Sequence, residues 1–264
     1  MKDRVIGGIF VILMTLIMLL PGGIVSAVAL AVISSIGIYE LYRVYSLEKT
    51  EFAGVAYVGT VFFYGLLYFE QEDFLLPFIL VILMILLVIY VIMFPKYKDK
   101  DVEKAFFGFI YLTVMLSYVY RLRSLKAGLM LSFFILISTW GNDVFAYLVG
   151  SAIGKHQFSP KVSPNKSIEG FIGGIVGAAF VSYIYAVFFK NDIPFRPIYC
   201  AIMAAIGAIP AVIGDLAASA IKRDNGIKDY SHLIPGHGGI VDRFDSVIFT
   251  TPIIYYLVEL FNII

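Results

Sequence analysis

Between Lys222 and Asp245 the chain carries KRDNGIKDYSHLIPGHGGIVDRFD, a stretch with four basic residues, four acids, two histidines and four glycines. Asp242 and Asp245 stand three residues apart, which puts them on one face of a helix that starts there. Acids in a first helical turn also complement the helix dipole, so plain capping is the alternative role. Upstream lies IPAVIGDLAASAIKR, with Asp215 inside an apolar segment. At about 100° per residue, Asp215, Ser219, Lys222 and Arg223 share one helical face. Two carboxylates on one face, near a buried third, suit a hard divalent cation such as Mg²⁺. Gly236, Gly238 and Gly239 of PGHGG let the backbone approach a ligand closely, and the helix start that follows offers free N–H groups. Lys222, Arg223, Lys228 and Arg243 can neutralise phosphate charge. Together these features describe a nucleotide or polyphosphate site. No G-x-x-x-x-G-K-[ST] pattern occurs, so this is not a P-loop protein. His237, flanked by glycines, either bonds a backbone carbonyl or donates to a phosphate. His156 and His232 give it no zinc-site spacing.

A second intramembrane acid, Asp143, sits in STWGNDVFAYLVG with Asn142 beside it. A carboxylate at the centre of a lone spanning helix costs about 2.5–3.5 kcal/mol on insertion scales. Such an acid is expected to face the bundle interior and to have a partner. It is either a cation or proton site, or a protonated or paired structural acid.

The elements that must position these groups are membrane helices. The 264 residues are 60% hydrophobic and 15% charged, with a mean hydropathy of +0.90; soluble domains carry about 25% charged residues. The expected fold is all-α, a polytopic integral membrane helical bundle with about nine transmembrane helices. They are placed near 5–20, 24–42, 52–69, 74–94, 105–120, 127–150, 168–189, 197–220 and 244–263, since a span needs about 20 apolar residues. The opening segment reads as a retained first helix rather than a secretory signal, because its apolar run is longer than an h-region and a second follows at once. FPKYKDKDVEK at 94–104 separates an N-terminal part, 1–100, with helices 1–4 and no readable chemistry, from a C-terminal part, 101–264, with helices 5–9 and the site. The first part could offer a homodimer surface, lipid access or bulk. With the N-terminus inside, 15 Lys and Arg fall on cytoplasmic segments and 5 outside. That split favours N-in, C-out, with RLRSLK at 121–126 as the segment against it. A net charge of +1 gives no reason to expect a nucleic-acid partner. Cys200 is alone, so it forms no internal disulfide and is expected to pack.

At this level of detail the chain resembles the CDP-diacylglycerol synthase (phosphatidate cytidylyltransferase) family. The family signature S-x-x-K-R, four residues, K-D, a small residue two on, P-x-H-G-G and D-R-x-D is filled by Ser219, Lys222, Arg223, Lys228, Asp229, Ser231, Pro235, His237, Gly238, Gly239, Asp242, Arg243 and Asp245. Further elements match at Asn142, Asp143, Ala146, Tyr147, Gly150, Gly154, Lys155, Ser163, Pro164, Lys166, Ser167, Glu169 and Gly170. Ser167 stands where threonine is more usual, which keeps the hydroxyl.

The resemblance implies transfer of CMP from CTP to phosphatidic acid, giving CDP-diacylglycerol and pyrophosphate for phospholipid synthesis, with Mg²⁺ required and a second cation as an option. It implies a multi-pass protein of the cell (inner) membrane with its site facing the cytoplasm. Metal binding is assigned to Asp215, Asp242 and Asp245, with Asp143 completing the cluster. Lys222, Arg223, Lys228 and Arg243 are assigned to phosphates. Lys155, Ser163, Lys166 and Ser167 hold the lipid phosphate or the CTP tail, and Asn142, Ser219, His237, Gly238 and Gly239 line the substrates. Two other classes fit parts of the pattern. An integral-membrane CDP-alcohol phosphotransferase also uses Mg²⁺ and intramembrane aspartates, but its D-G-x-x-A-R…G…D-x-x-x-D pattern is absent. A cation-coupled transporter could use Asp143 and Asp215 near the midplane, but leaves the glycine-rich basic loops without a role.

Overall fold

The structure, a computed structural model, describes residues 2–234, 236 and 238–263. Among these the chain forms nine helices: α1 (Lys2–Leu19), α2 (Gly23–Val44), α3 (Glu51–Tyr68), α4 (Leu75–Ile92), α5 (Asp99–Ser124), α6 (Gly128–Ile153), α7 (Ile168–Phe188), α8 (Pro197–Asp224) and α9 (Val241–Ile263). Eight are long and apolar enough to cross a membrane, and α1 adds the shorter apolar stretch Ile6–Leu19. The all-α membrane bundle expected from composition is therefore what the chain forms. Between α6 and α7 lies an antiparallel hairpin that the apolar counting missed, β1 (Gln157–Ser159) and β2 (Ser163–Ser167).

The fifth helix runs well past the expected 105–120. Its start is fixed by the Asp101 carboxylate, which accepts from the Lys98 backbone N–H at 2.8 Å. Its end takes in Arg121 and Arg123, whose charges suit a helix C-terminus. Much of RLRSLK is thus a helix end, and the Arg121 guanidinium stands 5.7 Å from the Tyr255 ring centroid. Hydropathy stops at the first charges; the backbone hydrogen bonds do not. Both α5 and α6 contain a π-helical turn, at Ile110–Val114 and Ile137–Gly141.

The chain divides into two compact units. Unit 1 holds residues 1–120 and 229–243, and unit 2 holds 121–228 and 244–264. The expected boundary near residue 100 lies inside unit 1, and most of the glycine-rich signature segment belongs to unit 1 as well.

Unit 1 is tied together by aromatic residues set against small ones. The buried Tyr42 hydroxyl donates to the Ala105 carbonyl at 2.5 Å. Its ring lies over Gly108, where an added Cβ would come within 2.5 Å of Tyr42 Cε1. Thr60 and Thr113 share a hydrogen bond at 2.7 Å, and Ser34 and Tyr64 another at 3.1 Å. On α4 only Leu75, Ile82 and Leu86 are buried. The rest of that helix shows Leu76, Leu80, Met84, Val88, Val91 and Ile92 outward, a face suited to lipid rather than water.

Unit 2 packs through glycine. Between apolar helices in lipid there is little hydrophobic drive, so close backbone approach and dispersion must hold them. On α7, Gly170, Gly174 and Gly177 lie at helical spacing against α6. A Cβ on Gly170 would meet the Ala146 carbonyl at 2.8 Å, and one on Gly177 would meet Phe145 at 2.1 Å. Gly214 and Gly207 of α8 let α9 in the same way, with Thr250 donating to the Gly207 carbonyl at 3.2 Å. Cys200 is buried, as its apolar context predicts.

Candidate active site

In unit 2, a cavity of about 410 Å³ opens between α6, α7, α8 and the hairpin. Its wall includes Asn142, Asp143, Tyr147, Lys166, Ser167 and Phe171. The π-helical turn at Ile137–Gly141 immediately precedes Asn142 and Asp143. Such turns add a residue and re-aim the side chains that follow. Asn142 is fully buried, and neither its amide oxygen nor its nitrogen has a hydrogen-bond partner among the described residues. A buried amide without partners costs about 1–3 kcal/mol per group, so it is kept for something other than packing.

The hairpin delivers Lys166 and Ser167 to this cavity. Its sequence, QFS and SPNKS, is poor in strand formers and contains a proline. What holds it is local hydrogen bonding. Ser167 Oγ accepts from the Gly170 N–H at 3.1 Å and so caps α7. The Glu169 carboxylate accepts from the backbone N–H groups of Lys155 and His156 at 3.1 and 3.2 Å and contacts His156 Nδ1 at 2.6 Å. Lys166 Nζ forms an ion pair with Asp215 on α8. Neither side chain is buried, at 27% and 34% exposure, and Asp143 is exposed in the cavity wall. The intramembrane acids expected to be buried therefore face open space. Asp242 and Asp245, expected in the first turn of the last helix, are both buried, at 9% and 6% exposure.

In unit 1 the signature segment folds on the carboxylates of Asp242 and of Glu40 on α2. The Ile234 N–H donates to the Gly238 carbonyl at 2.9 Å. Gly236 and Gly238 adopt φ of +71° and +82°, the left-handed region that side chains avoid. Asp242 Oδ2 accepts from the backbone N–H groups of Tyr230 and Gly239, both at 2.9 Å. Arg243 Nε is buried with no hydrogen-bond partner among the described residues. Asp245, in unit 2, accepts from the Ser246 N–H at 2.6 Å.

Asp215, Ser219, Lys222 and Arg223 all lie within α8, so their shared face stands. Asp242, Arg243 and Asp245 occupy the first turns of α9. Asn142, Asp143, Lys166 and Ser167 come together in unit 2, and Asp215 joins them through Lys166. Gly238, Gly239 and Asp242 come together in unit 1. Lys155, Ser163 and Lys228 lie outside the cavity wall on the connecting segments. The expectation for His237 lies outside the described residues. Among those residues no group of three His, Cys, Asp or Glu side chains gathers as a metal site. Sequence reasoning overlooked Glu40 in α2, whose carboxylate contacts the signature segment. The signal was present: an acid inside the apolar run IGIYELY, judged by the same rule as Asp143 and Asp215, should have drawn notice.

Packing around Asn142 yields a testable expectation. A Cβ on Gly174 would fall 2.2 Å from Asn142 Oδ1 and 2.9 Å from its backbone oxygen. Gly174→Ala should push α6 and α7 apart and cost about 1–3 kcal/mol by overpacking. Thermal unfolding in detergent should show a lower midpoint, with activity reduced because Asn142 moves.

The chain is 30% identical over 270 residues to a protein of Bacillus subtilis named phosphatidate cytidylyltransferase, covering 99% of each. It is 33% identical to one of that name from Haemophilus influenzae, over 87% of this chain and 88% of that protein. A third, from Thermotoga maritima, is 33% identical over 88% and 87%. A family profile matches residues 2–261, nearly the whole length that carries both the unit 2 cavity and the unit 1 signature loop, and the chain belongs to the cytidylyltransferase family.

Proposed function

We propose that this protein transfers CMP from CTP to phosphatidic acid, releasing pyrophosphate and leaving CDP-diacylglycerol in the membrane. The observation that carries this reading is similarity over nearly the full length to proteins named phosphatidate cytidylyltransferase. Lys166, which pairs with Asp215, and Asn142, whose amide has no hydrogen-bond partner among the described residues, line one cavity and support it.

An oxygen of the phosphatidate phosphate attacks the α-phosphorus of CTP. The bond from that phosphorus to the bridging oxygen of the β-phosphate breaks, and pyrophosphate leaves with the electron pair. The nucleophile is already anionic near neutrality, since a phosphate monoester has a second pKa of about 6. No strong general base is needed. The obstacle is repulsion between two polyanions. Lys166, Lys222, Arg223, Lys228 and Arg243 lower it, and Arg243 Nε, buried with no hydrogen-bond partner among the described residues, is a donor for phosphate.

Mg²⁺ would supply Lewis-acid stabilisation of the phosphates and of the leaving pyrophosphate. The donors present fit it: Asp215, Asp242, Asp245 and Asp143 offer hard oxygens. Mg²⁺ is commonly bound through one or two carboxylates, with substrate phosphates and water completing its shell, so a cluster of three acids is not required. Lys166 is paired with Asp215; its ammonium would meet a phosphate oxygen, and Asp215 is one of the residues that would hold the cation. The excess of Lys and Arg on one side supports an N-in orientation in the inner membrane. CTP would then reach the site from the cytoplasm.

The test is purified protein with cytidine-labelled CTP, phosphatidic acid and Mg²⁺. Label should enter the lipid phase with one pyrophosphate per transfer. No transfer to phosphatidic acid under these conditions would overturn the reading.

A further inference from the structure

We infer that Glu40, on α2, is a positioning residue for the D-R-F-D helix start, holding the signature loop in the shape that presents Asp242. Four observations within unit 1 lead there. Glu40 is 1% exposed, within the apolar run IGIYELY of α2. Its Oε1 accepts from the Ile240 N–H at 2.9 Å and from the Ser231 hydroxyl. Its Oε2 accepts from the Val241 N–H at 2.9 Å. A Cβ on Gly239 would lie 2.5 Å from Oε2 and 2.6 Å from Oε1.

These contacts assign Gly239 a second reason to be glycine. The loop must leave room for a carboxylate arriving from a helix about 200 positions earlier in the chain, as well as for any ligand. They also divide labour between two acids. Asp242 takes the N–H groups of Tyr230 and Gly239, and Glu40 takes those of Ile240 and Val241. Three consecutive backbone donors at the start of α9, those of Gly239, Ile240 and Val241, are thereby satisfied by side chains, where a helix N-terminus would leave them orphaned, and the Tyr230 N–H is a fourth from earlier in the segment. With Glu40 engaged on Ile240 and Val241, the loop needs less from Asp242 to stay ordered, and the Asp242 side chain is fixed in place before substrate arrives. The nearby cavity of about 580 Å³, lined by Tyr39, Arg43, Tyr57 and His232 among others, is mostly apolar and touches Glu40 only at its wall.

The consequence for function rests on the reading of Asp242 as part of the phosphate and cation chemistry; the structural part does not. The experiment therefore has two readouts on the full-length protein in nanodiscs. Glu40→Ala leaves two buried N–H groups without their acceptor, so amide hydrogen exchange in the 229–243 segment should rise by about tenfold or more. Turnover should fall by about 10–100-fold, with a higher Mg²⁺ concentration needed for half-saturation and KM for phosphatidic acid changed by no more than about twofold. Glu40→Gln keeps one acceptor oxygen and should fall between wild type and Glu40→Ala in both readouts. It carries the test if Glu40→Ala does not fold. A folded Glu40 variant with wild-type exchange in this segment overturns the inference, and so does lost turnover with an unchanged Mg²⁺ requirement. The Asp242 reading fails separately: Asp242→Asn with full activity at saturating Mg²⁺ would sink it, and the exchange measurement would still decide Glu40.

Discussion

Asp242→Asn should lower kcat by about 10²–10³-fold while the signature loop keeps its fold, a loss of about 3–4 kcal/mol of transition-state stabilisation. The reason lies in which atoms do what. Asp242 Oδ2 accepts from the Tyr230 and Gly239 N–H groups, and an asparagine oxygen can accept the same two bonds. Glu40 continues to hold Ile240 and Val241. The substitution therefore removes a negative charge from a buried position, 9% exposed, without removing the loop's acceptors. A carboxylate there strengthens a bound cation; an amide does so far less. Steady-state turnover as a function of Mg²⁺ checks this, beside hydrogen exchange over 229–243. Most of the activity surviving at saturating Mg²⁺ would defeat the assignment. The contrast with Glu40→Ala is informative, since that change should disturb loop order first and turnover through it.

The second large effect concerns Lys166. Lys166→Met should reduce kcat/KM by about 10²-fold, through loss of a cation that meets phosphate charge as it develops. Asp215→Asn should be at least as damaging if Asp215 ligates the cation. The pair in unit 2 offers a sharper comparison than either change alone. If Lys166 served only to neutralise Asp215, the double variant Lys166→Met/Asp215→Asn would recover much of the single losses, because no lone charge would remain. If each acts on substrate or cation, the double variant should be no better than the worse single. A double-mutant cycle on kcat/KM separates the two, and rescue would overturn the phosphate role of Lys166. Both groups are about a third exposed, so their mutual attraction is screened and contributes little to folding; thermal midpoints should move by only a few degrees at most.

Much of the site could be read without a structure because its residues are close in sequence. Asp242 and Asp245 share a face by helical spacing, and α9 does begin at Val241. Asp215, Ser219, Lys222 and Arg223 share a face because α8 continues to Asp224. The length of the apolar runs located the membrane helices, since a span needs a nearly fixed number of apolar residues. Helix ends were less legible. At α5 the charged flanks stay helical through the Asp101 cap and Arg121 and Arg123, where hydropathy alone would stop.

Other features depend on particular hydrogen bonds and pairings that neither hydropathy nor propensity records. The hairpin at 157–167 has little strand propensity; the Ser167 cap and Glu169 bonds to Lys155 and His156 hold it. The pairing of Lys166 with Asp215 joins residues from a hairpin and from α8. Asp143 is exposed and Asp215 half-buried, against what their place in apolar runs suggests, while Asp242 and Asp245 are buried. An apolar run sets which residues can enter lipid, whereas a cavity between helices sets which of them meet solvent.

By itself the sequence determined the class of fold, the nine helices and the residues able to carry phosphate and cation chemistry, because hydropathy and helical periodicity are local properties. Only the tertiary structure decided that Glu40, in helices that carried no readable chemistry, reaches the signature loop, and that Lys166 meets Asp215. Such contacts join segments distant in the chain. They are chosen by close packing and by the need of each buried N–H and carboxylate for a partner, and no local pattern records that choice.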